Sequence, residues 1–156
     1  MLPLSVKFKQ SPGDEYIEIT EIIGGSSEVR IPVDDVTCTP TGARQYKPIT
    51  IKKFVDKSSP IILKAICQAI KYHEMILTYY RYDRDTSGQK VPYHELKLEN
   101  VTFTDLTKFF SDEHFPGEGK KDAAENVSFV AEKYTETHLT GHITFTDLYK
   151  EEPAPS

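Results

Sequence analysis

The sequence has no tryptophan, only two cysteines and no long hydrophobic run. Its longest stretch without Asp, Glu, Lys or Arg covers only residues 137–146. A membrane-spanning helix needs about 20 predominantly apolar residues, so we expect no membrane insertion. Cys38 and Cys67 stand far apart, with no histidine or second cysteine at metal-ligand spacing. We therefore expect two free thiols, as in a protein that folds in a reducing cytoplasm.

Positive charge is also scarce. The chain carries 19 Lys and Arg against 24 Asp and Glu, which gives a formal net charge of −5. An acidic chain lacks the basic face that a phosphate backbone requires, so we expect no nucleic-acid partner. The first residues do not place a charged segment before a long apolar one, and they predict no conventional secretory signal.

The length is that of one domain, because domains most often hold about 100–150 residues. Hydrophobic residues make up 38% of the 156 residues and charged residues 28%, a balance typical of a folded globular domain. We predict a single domain over residues 1–150. The last residues, 151–156, read Glu-Glu-Pro-Ala-Pro-Ser and predict a disordered C-terminal tail.

Alternation of apolar and polar residues is the dominant pattern, and nine Tyr and eight Phe add aromatic mass suited to strands. Turn residues at 86–88 and 139–141 separate long strand-like segments, which predicts two antiparallel hairpins. Residues 109–122 combine Pro, Gly and charge, and predict an exposed loop. The predicted strands are residues 16–20, 29–33, 49–52, 75–82, 91–105, 126–137 and 142–149.

One segment, residues 58–70, has the pattern of a helix instead. Ser58 is suited to the N-cap, where its hydroxyl accepts a free backbone N–H, and Pro60 is suited to the first turn. The apolar residues that follow recur at helical spacing and form one stripe. The sequence therefore predicts many antiparallel strands with one short helix packed on them.

Two patterns imitate metal sites. His138 and His142 are four residues apart, but Gly141 between them indicates a turn, and no carboxylate or cysteine nearby completes a site. Residues 83–88 imitate the first half of a calcium loop, yet His94 stands where such a loop needs a bidentate Glu. We interpret the first pair as surface histidines and the second segment as a hairpin turn, and we predict no metal site.

The sequence also gives little support for a general acid–base site built from a histidine and a carboxylate. His73 and His94 have carboxylates close by in sequence, but neighbouring residues of a strand point to opposite faces, so a histidine cannot simply pair with the next residue along. No Gly-x-Ser-x-Gly elbow and no Gly-rich phosphate loop is present. We predict no catalytic or cofactor-binding residues and no enzymatic activity. The carboxylates in question are Glu74, Glu95 and Glu99.

The most informative stretch is residues 41–65, which reads TGARQYKPITIKKFVDKSSPIILKA. It resembles the hemolysin-coregulated protein (Hcp) family, the tube subunit of the bacterial type VI secretion system. Tyr80-Arg81, Leu98-Glu99-Asn100-Val101 and Glu132-Lys133 resemble later motifs of the same family, in the same order. The similarity covers roughly residues 41–149. Within the first stretch, the matching residues are Thr41, Gly42, Arg44, Pro48, Asp56, Ser58, Ser59 and Pro60.

The resemblance implies a mainly β fold, an antiparallel β-barrel or two-sheet sandwich with one short flanking α-helix. It implies self-association into hexameric rings that stack into a hollow tube, with sheath, spike and baseplate proteins as partners and secreted effectors as cargo. The protein would be made in the bacterial cytoplasm and secreted through the type VI system. Two alternatives stay open: a secreted, non-enzymatic effector or binding module on the same fold, and a tail-tube protein of a phage-like contractile particle.

The long segment from Asp34 to Gln45 is rich in Thr, Pro and Gly and has no apolar repeat. In relatives the corresponding loop reaches toward the next ring. Our hypothesis is that Asp34, Asp35 and Arg44 take part in charge pairing between rings, beside the Thr41-Gly42 pair of the family motif. Exposed ion pairs contribute only about 0–1 kcal/mol each, but six per ring would act together.

Overall fold

The computed structural model describes residues 3–19, 21–83, 88–109 and 123–149. These residues form ten strands and one helix. Residues 110–122, which are all but the first residue of the predicted 109–122 loop, and the whole predicted 151–156 tail lie outside the described residues. The elements are β1 (Leu4–Lys9), β2 (Ile17–Ile19), β3 (Ile22–Ser26), β4 (Val29–Arg30), β5 (Gln45–Tyr46), β6 (Ile49–Phe54), α1 (Ser58–Cys67), β7 (Lys71–Asp83), β8 (Gln89–Phe109), β9 (Ala124–His138) and β10 (Ile143–Leu148).

Eight of the strands build one antiparallel sheet in the order β2-β1-β7-β8-β9-β6-β3, with β10 added beside β9. The first half of β9 pairs with β6 and its second half pairs with β10. Strands β4 and β5 form a separate two-stranded sheet. The predicted mainly β, antiparallel fold with one short helix is confirmed, as are both hairpins, β7–β8 and β9–β10.

The sheet curls around a single core. Val6 and Phe8 on β1 belong to the same buried cluster as Ile51 on β6, although three strands lie between β1 and β6 in the sheet. Phe8, Tyr72 and Phe103 meet edge to face at its centre, with ring centroids 5.2–5.5 Å apart. A flat sheet could not bring its two ends to one cluster, so the curl follows from where the apolar residues lie.

The three longest strands change face at one row of the sheet. Buried residues normally recur every second position in a strand, but here Leu98 is followed by Val101 on β8. Tyr72 and Met75 on β7 and Ala131 and Tyr134 on β9 take the same three-residue step in register with it. Asn100, inside the step on β8, has a φ of 55°. We call this row, residues 73–74, 99–100 and 132–133, the face-switch row.

The helix ends three residues earlier than predicted. Its C-terminus closes with the N–H of Ile70 donating to Ala65 O and the N–H of Ala69 donating to Ile66 O. This is the Schellman arrangement, in which the residue after the cap adopts a left-handed conformation; Ala69 does so with a φ of 50°. Glycine usually fills that position, so the sequence carried no stop signal there. None of the helical residues in the described ranges forms a segment long and apolar enough to span a membrane.

Three strands are present that we did not predict. Strand β1 lies at the start of the chain, β3 contains two glycines, and β5 has only two residues. The predicted 29–33 strand was too long, because only Val29 and Arg30 pair with another strand. Glycine and proline lower the strand signal of these segments, and their pairing depends on distant partners.

Candidate functional site

Residues 29–46 form a long irregular hairpin, which we call the arm. Its base is the β4–β5 pair, and farther out Val33 bridges to Pro40. At the tip, the N–H of Asp34 donates to Thr39 O and the N–H of Cys38 donates back to Asp34 O. The segment predicted as a loop is thus an ordered projection of the chain.

The five residues proposed to contact a neighbouring ring all lie on the arm. Asp34 is at the tip, where its carboxylate accepts from the N–H of Val36 at 3.0 Å and from the hydroxyl of Thr37 at 3.1 Å. These hydrogen bonds, that of Val36 first, lower the pKa of Asp34. Asp35, Thr41 and Gly42 are exposed.

Arg44 is held within its own chain. Its Nη2 donates to Asp147 Oδ1 at 2.8 Å and to Leu148 O at 3.1 Å, and its Nε contacts Asp147 Oδ2. The hydrogen bonds from Arg44 lower the pKa of the Asp147 carboxyl, with a further contribution from Tyr46. This pair joins positions more than one hundred residues apart, and no sequence signal pointed to it. Arg44 therefore fastens the base of the arm to β10.

Tyrosines complete this anchor. The ring of Tyr46 stacks on Tyr134 at 4.0 Å and meets Tyr149 edge to face at 4.7 Å. Burial and a hydrogen bond to Asp147 raise the pKa of Tyr46 to about 12. The base of the arm is therefore packed and hydrogen-bonded, while its outer part is exposed.

The helix-start motif serves the fold rather than the surface. Asp56, not Ser58, makes the cap: its Oδ1 accepts the N–H of Ser58 at 2.9 Å, and the hydroxyl of Ser59 accepts the N–H of Asp56 at 3.0 Å. This pair is a variant of the capping box, in which the first acceptor bonds the N–H two residues on instead of three. Ser58 is the first residue of the helix and Lys57 precedes it, so our N-cap assignment to Ser58 was wrong. Pro60 is the third helical residue and not the first.

The same motif reaches a buried charge pair. Lys53 Nζ lies 2.6 Å from Glu125 Oε1, 2.9 Å from Asp56 Oδ1 and 3.2 Å from Ser59 Oγ. The Lys53 and Glu125 side chains are both fully buried. Burial alone would raise the pKa of Asp56, but the hydrogen bonds from Ser58 and Lys53 outweigh it and lower the pKa. The motif therefore joins α1, β6 and β9.

The residues considered for acid–base work have other partners. The carboxylate of Glu74 accepts from the Tyr16 hydroxyl and pairs with Lys97 at 3.2 Å, and burial, which would raise its pKa, is outweighed by these contacts. Glu99 pairs with Lys133 at 3.3 Å. His73 sits on the face-switch row, and Glu95 lies opposite Thr78 and Thr137. The geometry thus brings none of these three carboxylates to His73 or His94.

The two sequence patterns that imitate metal sites can be compared with the structure only in part. His138 ends β9 and His142 precedes β10 with a φ of 54°, so they flank a turn as predicted. His138 instead meets His94, its cross-strand partner on β8, and Glu136 lies beside His94. Sequence reasoning missed this meeting because 44 positions separate the two histidines. Of the calcium-loop imitation, residues 84–87 lie outside the described residues.

Strand β10 exposes large apolar side chains. Ile143 and Phe145 lie opposite His138 and Glu136 in the β9 pairing, and Asp147 lies opposite the buried Tyr134. Directly paired residues share one face of a sheet, so Ile143 and Phe145 continue the core face of β9. Each is 70% exposed. We call these two residues the open strip.

Comparison with known proteins gives a consistent result. A family model described as "Type VI secretion system effector, Hcp" matches residues 10–138. The chain is 31% identical over 146 residues to a "Major exported protein" of Pseudomonas aeruginosa, covering 91% of this chain and 84% of that protein.

Solved structures show the same fold. A mutant of Hcp1 from the E. coli EAEC 042 pathovar superposes with a TM-score of 0.78 and 25% identity, over 96% of this chain and all of that one. Another structure, named only as an Hcp protein, gives a TM-score of 0.83 at 21% identity, over 97% of this chain and 100% of that one. The family model covers most of the chain and the curved antiparallel sheet is shared, so this chain belongs to the Hcp family of the type VI secretion system.

Proposed function

We propose that this chain is a structural subunit of the type VI secretion tube, which assembles into hexameric rings that stack into a hollow tube and carry effectors out of the bacterial cell. Its work is assembly and carriage of cargo, not catalysis. Its proposed partners are further copies of itself, the sheath, spike and baseplate proteins, and the effectors. Family membership supports this proposal, and the open strip is the observation that carries it.

The open strip continues the core-facing side of the sheet, but its two side chains are exposed to solvent. Beside it on β9 and β10, the arm covers Tyr134 and Asp147, but Ile143 and Phe145 have no such cover among the described residues. Fully burying an Ile or Phe side chain is worth roughly 1.5–3 kcal/mol. A surface that puts two such side chains in water is stabilised when another chain covers it.

The edge of β10 adds a second reason. Within the described residues β10 pairs only with β9, so no other strand pairs with its outer backbone edge, where Arg44 reaches only the carbonyl of Leu148. A free edge next to exposed apolar side chains is a template for pairing with another chain. When two different surfaces of one chain meet in this way and the rotation closes, the product is a ring.

The test is the mass of the purified chain by light scattering, with negative-stain imaging of the same fraction. We expect a mass near that of six chains and ring images. Phe145→Lys should shift the mass to that of one chain, because burying a lysine in the contact leaves its charge unpaired. Thr144→Lys is the matched control, since residue 144 lies on the opposite face of the same strand.

Two outcomes would contradict the proposal. A wild-type chain that stays monomeric at high concentration argues against the ring and favours a secreted binding module. Rings that persist in Phe145→Lys and fail in Thr144→Lys would place the contact on the other face of β10. Circular dichroism of each variant separates loss of assembly from loss of folding.

For stacking, we propose that the exposed outer part of the arm contacts the next ring, through Asp34, Asp35, Thr41 and Gly42. Arg44 is exposed to 41% at its side chain but is held by Asp147, so we assign it the additional task of fixing the arm's direction. Asp35→Lys tests the contact without disturbing the bonds of Asp34, and it should shorten the tubes seen by electron microscopy. Tubes of wild-type length would contradict this part of the proposal.

A further inference from the structure

Two histidines meet where the core face of the sheet reaches solvent. His94 on β8 and His138 on β9 are direct cross-strand partners, and their Nδ1 atoms lie 3.2 Å apart. The His94 side chain is 25% exposed, so solvent reaches the pair. Tyr79 packs edge to face on the His94 ring at 5.5 Å and restrains it.

The other nitrogen of each ring, Nε2, lies within hydrogen-bond distance of a side-chain oxygen. Nε2 of His94 lies 3.1 Å from Glu136 Oε1, and Nε2 of His138 lies 3.0 Å from Thr140 Oγ1. An ionised carboxylate only accepts hydrogen bonds, so the contact with Glu136 favours the tautomer of His94 that donates from Nε2. In that tautomer the Nδ1 atom directs an unshared electron pair toward His138.

This arrangement has the form of a histidine metal site. Histidine ligands usually donate their other ring N–H to a carboxylate, carbonyl or water, which fixes the tautomer and orients the ring. Two nitrogens bound to one tetrahedral Zn²⁺ at about 2.0–2.1 Å lie about 3.3 Å from each other, close to the separation of the two Nδ1 atoms. The negative charge of Glu136 next to His94 further favours a cation.

We propose that His94 and His138 bind one divalent transition metal, with Zn²⁺ the best fit, through their Nδ1 atoms. In the described part of the chain, no group of three or more His, Cys, Asp and Glu side chains is placed to hold a metal. The two histidines thus supply two ligands, and solvent completes the tetrahedron. Glu136 and Thr140 are positioning residues that hold the rings. The proposed ligands thus join His138 to His94 and not to His142, and the proposal departs from our sequence-based expectation of no metal site.

The rival arrangement needs no metal. If the Thr140 hydroxyl donates to His138 Nε2, then the Nδ1–H of His138 donates to Nδ1 of His94, and every polar atom is satisfied. The two arrangements differ at one point: the metal requires both rings to be protonated on Nε2, whereas the hydrogen-bond chain requires His138 to be protonated on Nδ1. This difference can be measured.

The experiment uses the full, tag-free chain after removal of metal by a chelator. Calorimetric titration with Zn²⁺ should give one site per chain, and long-range ¹H–¹⁵N spectra should show the Nδ1 signals of both histidines shifting on Zn²⁺ addition. His94→Gln and His138→Gln should each weaken Zn²⁺ binding by roughly tenfold or more. His142→Asn is the matched control: it removes a histidine of the same turn, and Asn tolerates the positive φ there.

Three results would overturn the proposal: no Zn²⁺ binding, with His138 protonated on Nδ1; binding that survives in both His→Gln variants; or binding lost in His142→Asn. Circular dichroism confirms that each variant is folded, and having two ligand variants guards against misfolding of one. Both ligands come from one chain, so Zn²⁺ binding needs no ligand from a second copy, and the titration can be made on the monomer.

Discussion

The two ends of β9 differ in what surrounds their carboxylates. Near its start, Glu125 is fully buried against Lys53 and Ser59. Near its end, Glu136 is 64% exposed beside His94, next to the open strip. One strand thus stabilises the fold at one end and is exposed at the other, where we propose the ring contact and the metal site.

The face-switch row separates the two ends. On the side of Ala131, the buried side chains belong to the core cluster that also contains Ile62 and Ala65 of α1, while on the side of Tyr134 the core face continues out to the rim. Because β7, β8 and β9 all change face at this row, the strands keep the same pairing register on both sides of it. The long strands therefore have a buried part and an exposed part, and we expect substitutions on the two sides of the row to have different effects.

The largest expected effect is at the buried end. Glu125→Leu removes one of the two carboxylates that pair with the fully buried Lys53 and leaves Asp56, 2.9 Å from Lys53 Nζ, as its remaining charged partner. Breaking a buried ion pair costs about 3–5 kcal/mol of unfolding free energy when nothing else compensates the charge, so we expect a loss of about 3 kcal/mol. Urea denaturation followed by circular dichroism measures it. Glu136→Leu, on the same strand at the exposed end, should change stability by only about 0.5 kcal/mol or less.

A double variant separates charge from packing. Lys53→Met with Glu125→Leu removes both charges, and replacing a buried pair by apolar residues is often neutral or stabilising. We therefore expect it to recover most of the loss. The buried Glu125 Oε2 has no hydrogen-bond partner among the described residues, which adds to the cost of the native pair. If the Glu125→Leu variant is as stable as the wild type, then the carboxylates at the two ends of β9 do not differ in their contribution to stability.

We expect an intermediate loss of unfolding free energy at the face-switch row. Asn100 is exposed and has a φ of 55°, a left-handed conformation that Asn and Gly adopt more easily than branched residues. Asn100→Val should lower the unfolding free energy by about 1–2 kcal/mol, and Asn100→Gly should change it little. Equal stability of the Val and Gly variants would mean that the backbone at the row is not constrained.

Sequence patterns revealed the elements more readily than their arrangement. The alternation of 91–105 predicted β8, but it could not show that Leu98 and Val101 both point inward, because the step depends on neighbouring strands turning together. Ser58 and Pro60 located the helix start to within two residues, whereas the capping role of Asp56 depends on side-chain geometry. The His94–His138 and Arg44–Asp147 contacts join distant positions and follow from the register of the sheet.

The smallest effect on global stability is expected at the base of the arm. The pKa of Asp147 is lowered in the folded chain, mainly by hydrogen bonds from Arg44. A lowered folded pKa means that the contact is fully present above the unfolded value of about 3.9 and is lost as pH falls through the folded value. The contact lies near the surface, so we expect local opening of the arm with little change in the urea midpoint.

At neutral pH, Asp147→Asn should therefore have the effect on the arm that protonation of Asp147 has in strong acid, while the other carboxylates stay ionised. The amides of Thr41 and Lys47, which donate to Pro32 O and Glu28 O across the arm, should exchange with deuterium faster in the variant. Amides of the buried β6–β9 pairing should keep their rates, because local opening leaves the core intact. Asp35→Asn is the control, as it neutralises an arm carboxylate away from Arg44. If the Thr41 and Lys47 amides keep their protection in Asp147→Asn, then the stacked tyrosines hold the arm, and the ion pair does not set the direction in which it projects.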